Sequence, residues 1–175
     1  MKKVILTSLL TLVAHQALAN DQPPAEAETV QVASGLYVGA GLSHNDLDFG
    51  SIIKGADNET AMGIQIFAGV PIANSIENID TFAEVGFFRT SNFNFSGQKE
   101  RVIGASGSVV LQRNLSEVNP NLYALGRIGL EIGDDDGIIM GVGAGYRITP
   151  KVEVRAEFVN KDLVSSYQAN ALVRF

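Results

Sequence analysis

Residues 166–175 (SYQANALVRF) place an apolar side chain at every odd position: Tyr167, Ala169, Ala171, Val173 and a chain-ending Phe175. Alternation of period two is the pattern of a strand with two unlike faces. In water, such a strand would expose an apolar stripe and an aromatic end with no evident second layer to cover them. The hydrocarbon of a bilayer covers both.

The amino-terminal end agrees. Lys2 and Lys3 precede an apolar run over 4–14, and Ala17, Leu18 and Ala19 follow, in the order of a secretory signal: charged region, apolar region, small-residue cleavage site. The run is too short to span a bilayer as a helix, which takes roughly 20 residues. Residues 1–19 are therefore expected to be a removed signal peptide, with Asn20 the first mature residue and His44 the only histidine left. Losing the two lysines moves the formal net charge from −6 to −8, which disfavours nucleic acid as a partner. With no cysteine, disulfides and thiolate metal sites are excluded. No later stretch is apolar enough for a membrane helix, yet mean hydropathy is slightly positive. A bilayer protein without such a helix must pair every backbone group between strands, which requires a closed barrel.

Residues 20–34 are polar and acidic, interrupted by Pro23 and Pro24, and read as a flexible periplasmic leader. After them, over 35–175, eight alternating stretches are predicted: 35–44, 61–72, 81–91, 101–113, 122–132, 138–148, 152–158 and 166–175. Each holds about ten residues, the length a tilted strand needs to cross, and eight is the smallest bacterial barrel. The fold class expected is all-β: an eight-stranded antiparallel up-and-down transmembrane β-barrel, monomeric. Pro71, Pro120 and Pro150 fall in the connections after the second, fourth and sixth stretches, which are placed in the periplasm. The connections at 45–60, 92–100, 133–137 and 160–165 then face outward.

With the apolar set against lipid, the complementary set lines the lumen. It contains ten glycines (39, 41, 63, 69, 86, 104, 129, 141, 143 and 145) and the charged residues Glu84, Arg127, Glu131, Arg147, Glu153, Arg155 and Glu157, with Gln65 and Arg174. An eight-stranded barrel is just wide enough for side chains to fill, so the glycines are expected to make room for long polar groups. Unpaired charges there would cost several kcal/mol each, so they are expected to pair across the interior. Two readings stay open: a polar network that plugs the barrel, or a gated ion path with the gate at Glu84 and Arg155.

These residues carry a family resemblance. The stretch over 141–158 (GVGAGYRITPKVEVRAEF) is similar to the sixth and seventh strands of the transmembrane domain of outer membrane protein A and its relatives, outer membrane protein X and the opacity proteins. The resemblance covers the chain from about residue 35. It implies that Glu84 and Arg155 are the family's inward glutamate and arginine. The inward acid that the family carries in its sixth strand falls on Gly145 here, so the charge network must be rewired, with Arg127 and Glu157 as the candidates. The terminal strand also resembles that of Gram-negative outer-membrane barrels, which implies that Tyr167, Val173 and Phe175 form the signal read by the barrel-assembly machinery.

Small outer-membrane barrels include lipid A deacylases, palmitoyltransferases and proteases. Hydrolytic chemistry of the deacylase or protease kind needs a histidine base beside a nucleophile or an activated water. His44 adjoins Ser43, but neighbours on a strand point to opposite faces, which disfavours an enzyme. Asp134, Asp135 and Asp136 match no calcium-loop spacing and read as a solvated turn; no cofactor or metal is expected. Phe93 and Phe95 continue the outward phase of the third stretch, and Phe49 adds apolar weight to the first loop. They form either an aromatic belt or an edge that takes a partner by strand addition. The expected function is structural and interactive: envelope integrity, or adhesion through the outer loops. The alternative is a narrow low-conductance channel gated by the lumen charges; a lipid A-modifying enzyme is third. Expected partners are outer-membrane lipids and lipopolysaccharide, the assembly machinery, and a host or surface ligand.

Overall fold

The computed structural model describes residues 35–47, 59–95, 98–162 and 164–175. The expected signal peptide, the leader and Phe49 lie outside them. Ten strands follow in order: β1 (Tyr37–Leu47), β2 (Glu59–Ile72), β3 (Ile79–Thr90), β4 (Phe93–Phe95), β5 (Gln98–Glu100), β6 (Ile103–Asn114), β7 (Leu122–Gly133), β8 (Gly137–Arg147), β9 (Val152–Asn160) and β10 (Val164–Arg174). Eight of them close into an antiparallel barrel in the order β1-β10-β9-β8-β7-β6-β3-β2. The terminal strand closes it: β10 pairs with β1 from Tyr37 opposite Arg174 to Leu47 opposite Val164.

The eight predicted stretches are these eight strands. The alternation missed only β4 and β5, a two-stranded ribbon in the connection between β3 and β6. One rim carries Gly35 and Phe175, the first and last described residues, and the turns over 73–78, 115–121 and 148–151; we call it the inner rim and the opposite one the outer rim. Pro71 belongs to the last rungs of β2, opposite Phe82, rather than to the turn. That turn is tied by Asn74, whose Nδ2 donates to the Ile79 carbonyl (2.9 Å) and whose Oδ1 accepts from the Ile76 N–H (2.7 Å). Asn78 adopts φ 61° there, a left-handed conformation that asparagine tolerates.

The outward face is apolar. Leu42, Ile64, Ile66, Ile128, Val142 and Tyr167 are each more than half exposed, a continuous apolar surface far larger than a water-soluble monomer carries. The inward face is where glycines face large groups. A side chain at Gly69 would collide with the Tyr37 ring, at Gly145 with Tyr123, at Gly39 with Phe67 and at Gly104 with Phe88. At Gly141 it would meet the Arg127 stem and at Gly143 that of Glu157. The inner-wall glycines do make room, as the sequence implies. Much of what fills that room is aromatic, however, and not only polar.

Candidate functional site: the lumen network

The lumen charges lie in three layers. In the middle, four of them form a closed ring. Glu84 on β3 pairs through Oε1 with Arg127 Nη2 of β7 (2.6 Å) and through Oε2 with Arg155 Nη2 of β9 (2.9 Å). Glu157, two residues from Arg155, contacts Arg155 Nε (2.5 Å) and Arg127 Nε (2.8 Å). The ring is neutral and its four side chains are buried. Its Nε contacts to Glu157 are short but poorly aligned for hydrogen bonding, so charge holds them more than direction. Glu157 Oε1 also accepts from Asn170 Nδ2 (3.3 Å), and Glu84 Oε2 from the Tyr37 hydroxyl (2.8 Å). β3 and β9 are not neighbours in the sheet, so the Glu84–Arg155 pair spans the interior. The rewiring expected from Gly145 is present: Arg127 and Glu157 complete the circuit.

Toward the inner rim, Glu153 of β9 accepts from the Tyr123 hydroxyl (2.9 Å) and Arg174 Nε (2.8 Å), with Arg147 Nε at 3.8 Å. The arginines lie against rings: Arg147 over Tyr123 at 4.9 Å, and Arg174 over Tyr37 and Phe82 at 5.3 and 5.1 Å, in cation–π geometry. Tyr37, Phe67, Phe82, Val110, Tyr123, Leu125 and Leu172 form one buried cluster here, an apolar plug that corrects the expectation of a purely polar core. Gln112 is fully buried, and its amide has no hydrogen-bond partner among the described residues.

Toward the outer rim, Glu131 of β7 pairs with Lys161 Nζ at 2.8 Å, and that ammonium sits 3.3 Å from the centre of the Phe88 ring. Burial pushes the Lys161 ammonium below the ordinary lysine range, while the Glu131 carboxylate pulls it back up. Gln65 Nε2 donates to Gln168 Oε1 (2.8 Å) and to Asn170 Oδ1.

All seven expected lumen residues thus point inward and all are paired. Sequence reading missed Lys161, Tyr37 and Tyr123. The signals were present: Lys161 continues the odd phase of β9, and each tyrosine stands opposite a glycine in register, Tyr37 at Gly69 and Tyr123 at Gly145. Phe93 needs a correction. Its side chain does not continue the outward stripe; it is buried among Leu47, Ala61 and Val164, because the chain turns inward after Thr90, whose hydroxyl accepts from the Val102 N–H (2.8 Å). The side chain of Phe95 lies outside the described residues. Tyr167, Val173 and Phe175 all face outward. Ser43 is buried inside while His44 is half exposed outside, so the two form no dyad. Asp134 Oδ2 accepts from the Ile103 N–H (2.9 Å) and Asp136 Oδ1 from the Gly133 N–H, while Asp135 is buried. The triplet is therefore a structured turn and not merely a solvated one.

A closed eight-stranded barrel with an apolar exterior and a paired ionic interior belongs to few families. The profile of the family described as the outer membrane protein beta-barrel domain matches residues 5–173. The chain belongs to that family. No curated protein sequence matches it. Among solved structures it is similar to Neisserial surface protein A, with 17% identity, 81% of this chain and 98% of that one covered, and TM-score 0.58. It is also similar to Ail, the attachment invasion locus protein of Yersinia pestis, with 12% identity, 82% and 100% coverage, and TM-score 0.58. A de novo designed transmembrane β-barrel aligns at 17% identity, 84% and 100% coverage, and TM-score 0.52. At such identities the likeness concerns the fold. Family membership locates the chain in the outer membrane.

Proposed function

We propose that this is a small, sealed surface barrel that supports the envelope and makes contacts through its outer loops, rather than a route for solutes. The observation that carries the reading is the neutral Glu84–Arg127–Glu157–Arg155 ring across the lumen, backed by the aromatic plug below it. In this reading the inner rim faces the periplasm after signal cleavage and transit. Tyr167, Val173 and Phe175 engage the assembly machinery, the outward face is wetted by lipid and lipopolysaccharide, and the barrel works as a monomer with no cofactor. The ribbon Phe93–Phe95 and Gln98–Glu100, together with the first outer loop, meets the host or surface ligand. Purified barrel in planar bilayers should show no sustained conductance; steady ohmic steps would overturn the sealed reading. Replacing 92–100 by a short turn should abolish binding to cells or matrix, and unchanged binding would remove the adhesive part.

A narrow channel is the second reading, favoured by one feature. Glu84 is shared between two arginines, so a shift of its carboxylate could break one contact while keeping the other. Conductance of the wild-type barrel that changes in Glu84→Ala or Arg155→Ala would support it. Enzyme chemistry is disfavoured by the split of Ser43 and His44, and an unchanged lipid A mass after incubation with lipopolysaccharide is the expected result.

A further inference from the structure

Between the ring and the outer rim lies a cavity of about 30 Å³, with Gln65, Ser106, Glu131 and Lys161 in its wall and Glu84 and Arg127 in its floor. That is room for about one or two water-sized molecules. The floor belongs to a neutral ring and attracts neither sign. The wall is different. Glu131 is 3% exposed; its Oε2 takes Lys161, while its Oε1 is buried with no hydrogen-bond partner among the described residues. Asp135, in the turn that follows β7, is also buried.

Against the Glu131 carboxylate stands the Lys161 ammonium, resting on the Phe88 ring. Its backbone is fixed, since the Lys161 N–H donates to the Val164 carbonyl (2.9 Å). What reaches into the lumen is a flexible four-carbon stem with a compact charge at its tip. Such a group can withdraw by rotation alone. It would leave the buried Glu131 carboxylate beside an aromatic face, which together form a receptor for a cation.

We propose that the outer half of the lumen is a vestibule for small cations, a monovalent ion or a small protonated amine, closed by the protein's own Lys161 ammonium in the position an external cation would take. The cavity lies on the outer side of the ring, so the vestibule does not depend on whether the ring opens.

The chain has no cysteine, so Ser106→Cys installs a single thiol in the vestibule wall. Its modification rate is measured with cationic and anionic methanethiosulfonate reagents of similar size. Heat-modifiable gel mobility confirms that each variant is folded, and Lys161→Ser replaces Lys161→Ala where the latter is not. With Lys161 present, both reagents should react slowly. In Lys161→Ala, where the truncated side chain enlarges the cavity, the cationic reagent should gain about tenfold or more over its own earlier rate and over the anionic reagent. Adding Glu131→Gln should keep the thiol accessible and reduce that preference. Equal rates with and without Lys161 would show that it plugs nothing. Fast reaction without charge preference would show that the vestibule is not a cation site.

Discussion

Toward the inner rim the lumen is filled by Tyr37, Phe82, Tyr123 and Leu172, with arginines over the tyrosine rings. Toward the outer rim the same narrow bore holds amides, hydroxyls and one lysine around a cavity, and near the strand ends a smaller apolar cluster of Leu47, Ala61, Phe93 and Val164. Part of the contrast follows from what glycine faces on the neighbouring strand, although Gly104 in the outer half also faces a ring, that of Phe88. At Gly69 and Gly145 the partner is a tyrosine, which lies over the missing side chain as aromatic rings do over strand glycines. At Gly86 the nearest group is the Ser106 hydroxyl at 3.1 Å, too small to fill the space. The inner half is therefore filled by rings, while the outer half combines charge pairing with a smaller apolar cluster and keeps a cavity. The ionic ring is the boundary between them.

The largest expected effect is at that boundary. Arg155→Ala leaves Glu84 and Glu157 sharing one arginine in a buried site, and should lower the unfolding free energy in lipid vesicles by about 3–5 kcal/mol, read from urea titration. Next come the glycines. Gly145→Ala forces a methyl into the Tyr123 ring and should cost about 1–3 kcal/mol, whereas Gly86→Ala in the looser half should cost less than about 1 kcal/mol; equal costs would erase the distinction between the halves. Gln112 is a polar group in the apolar half without a partner, so Gln112→Met should leave stability unchanged or raise it by about 1 kcal/mol, by the same titration. The smallest effect belongs to the outside: His44→Ala, at a half-exposed position, should change stability by no more than about 0.5 kcal/mol.

How much of this was legible depended on whether a residue's role is set by phase or by partner. Phase placed all eight barrel strands and every charge of the ring, because one lipid-facing side chain in two fixes where the others go. The Gly145 departure was enough to point to Arg127 and Glu157. Partners were not visible. Nothing in the alternation says that Tyr123 turns its ring onto Gly145, or that Lys161, one residue beyond β9, bends into the lumen to reach Glu131. Phe93 failed for the same reason: its phase was read through Ser91 and Asn92, where the barrel ladder ends and the chain bends. Alternation is reliable inside a ladder and carries no information past its end.

The central claim is that neighbouring residues of these strands face lipid and the barrel interior by turns. The chain contains no tryptophan, so Ile66→Trp and Phe67→Trp each install a single reporter on opposite faces of β2, one 62% exposed and the other 9%. In vesicles containing brominated lipid, emission from position 66 should be strongly quenched and emission from position 67 nearly untouched. Equal quenching at both, or stronger quenching at 67, would contradict the account.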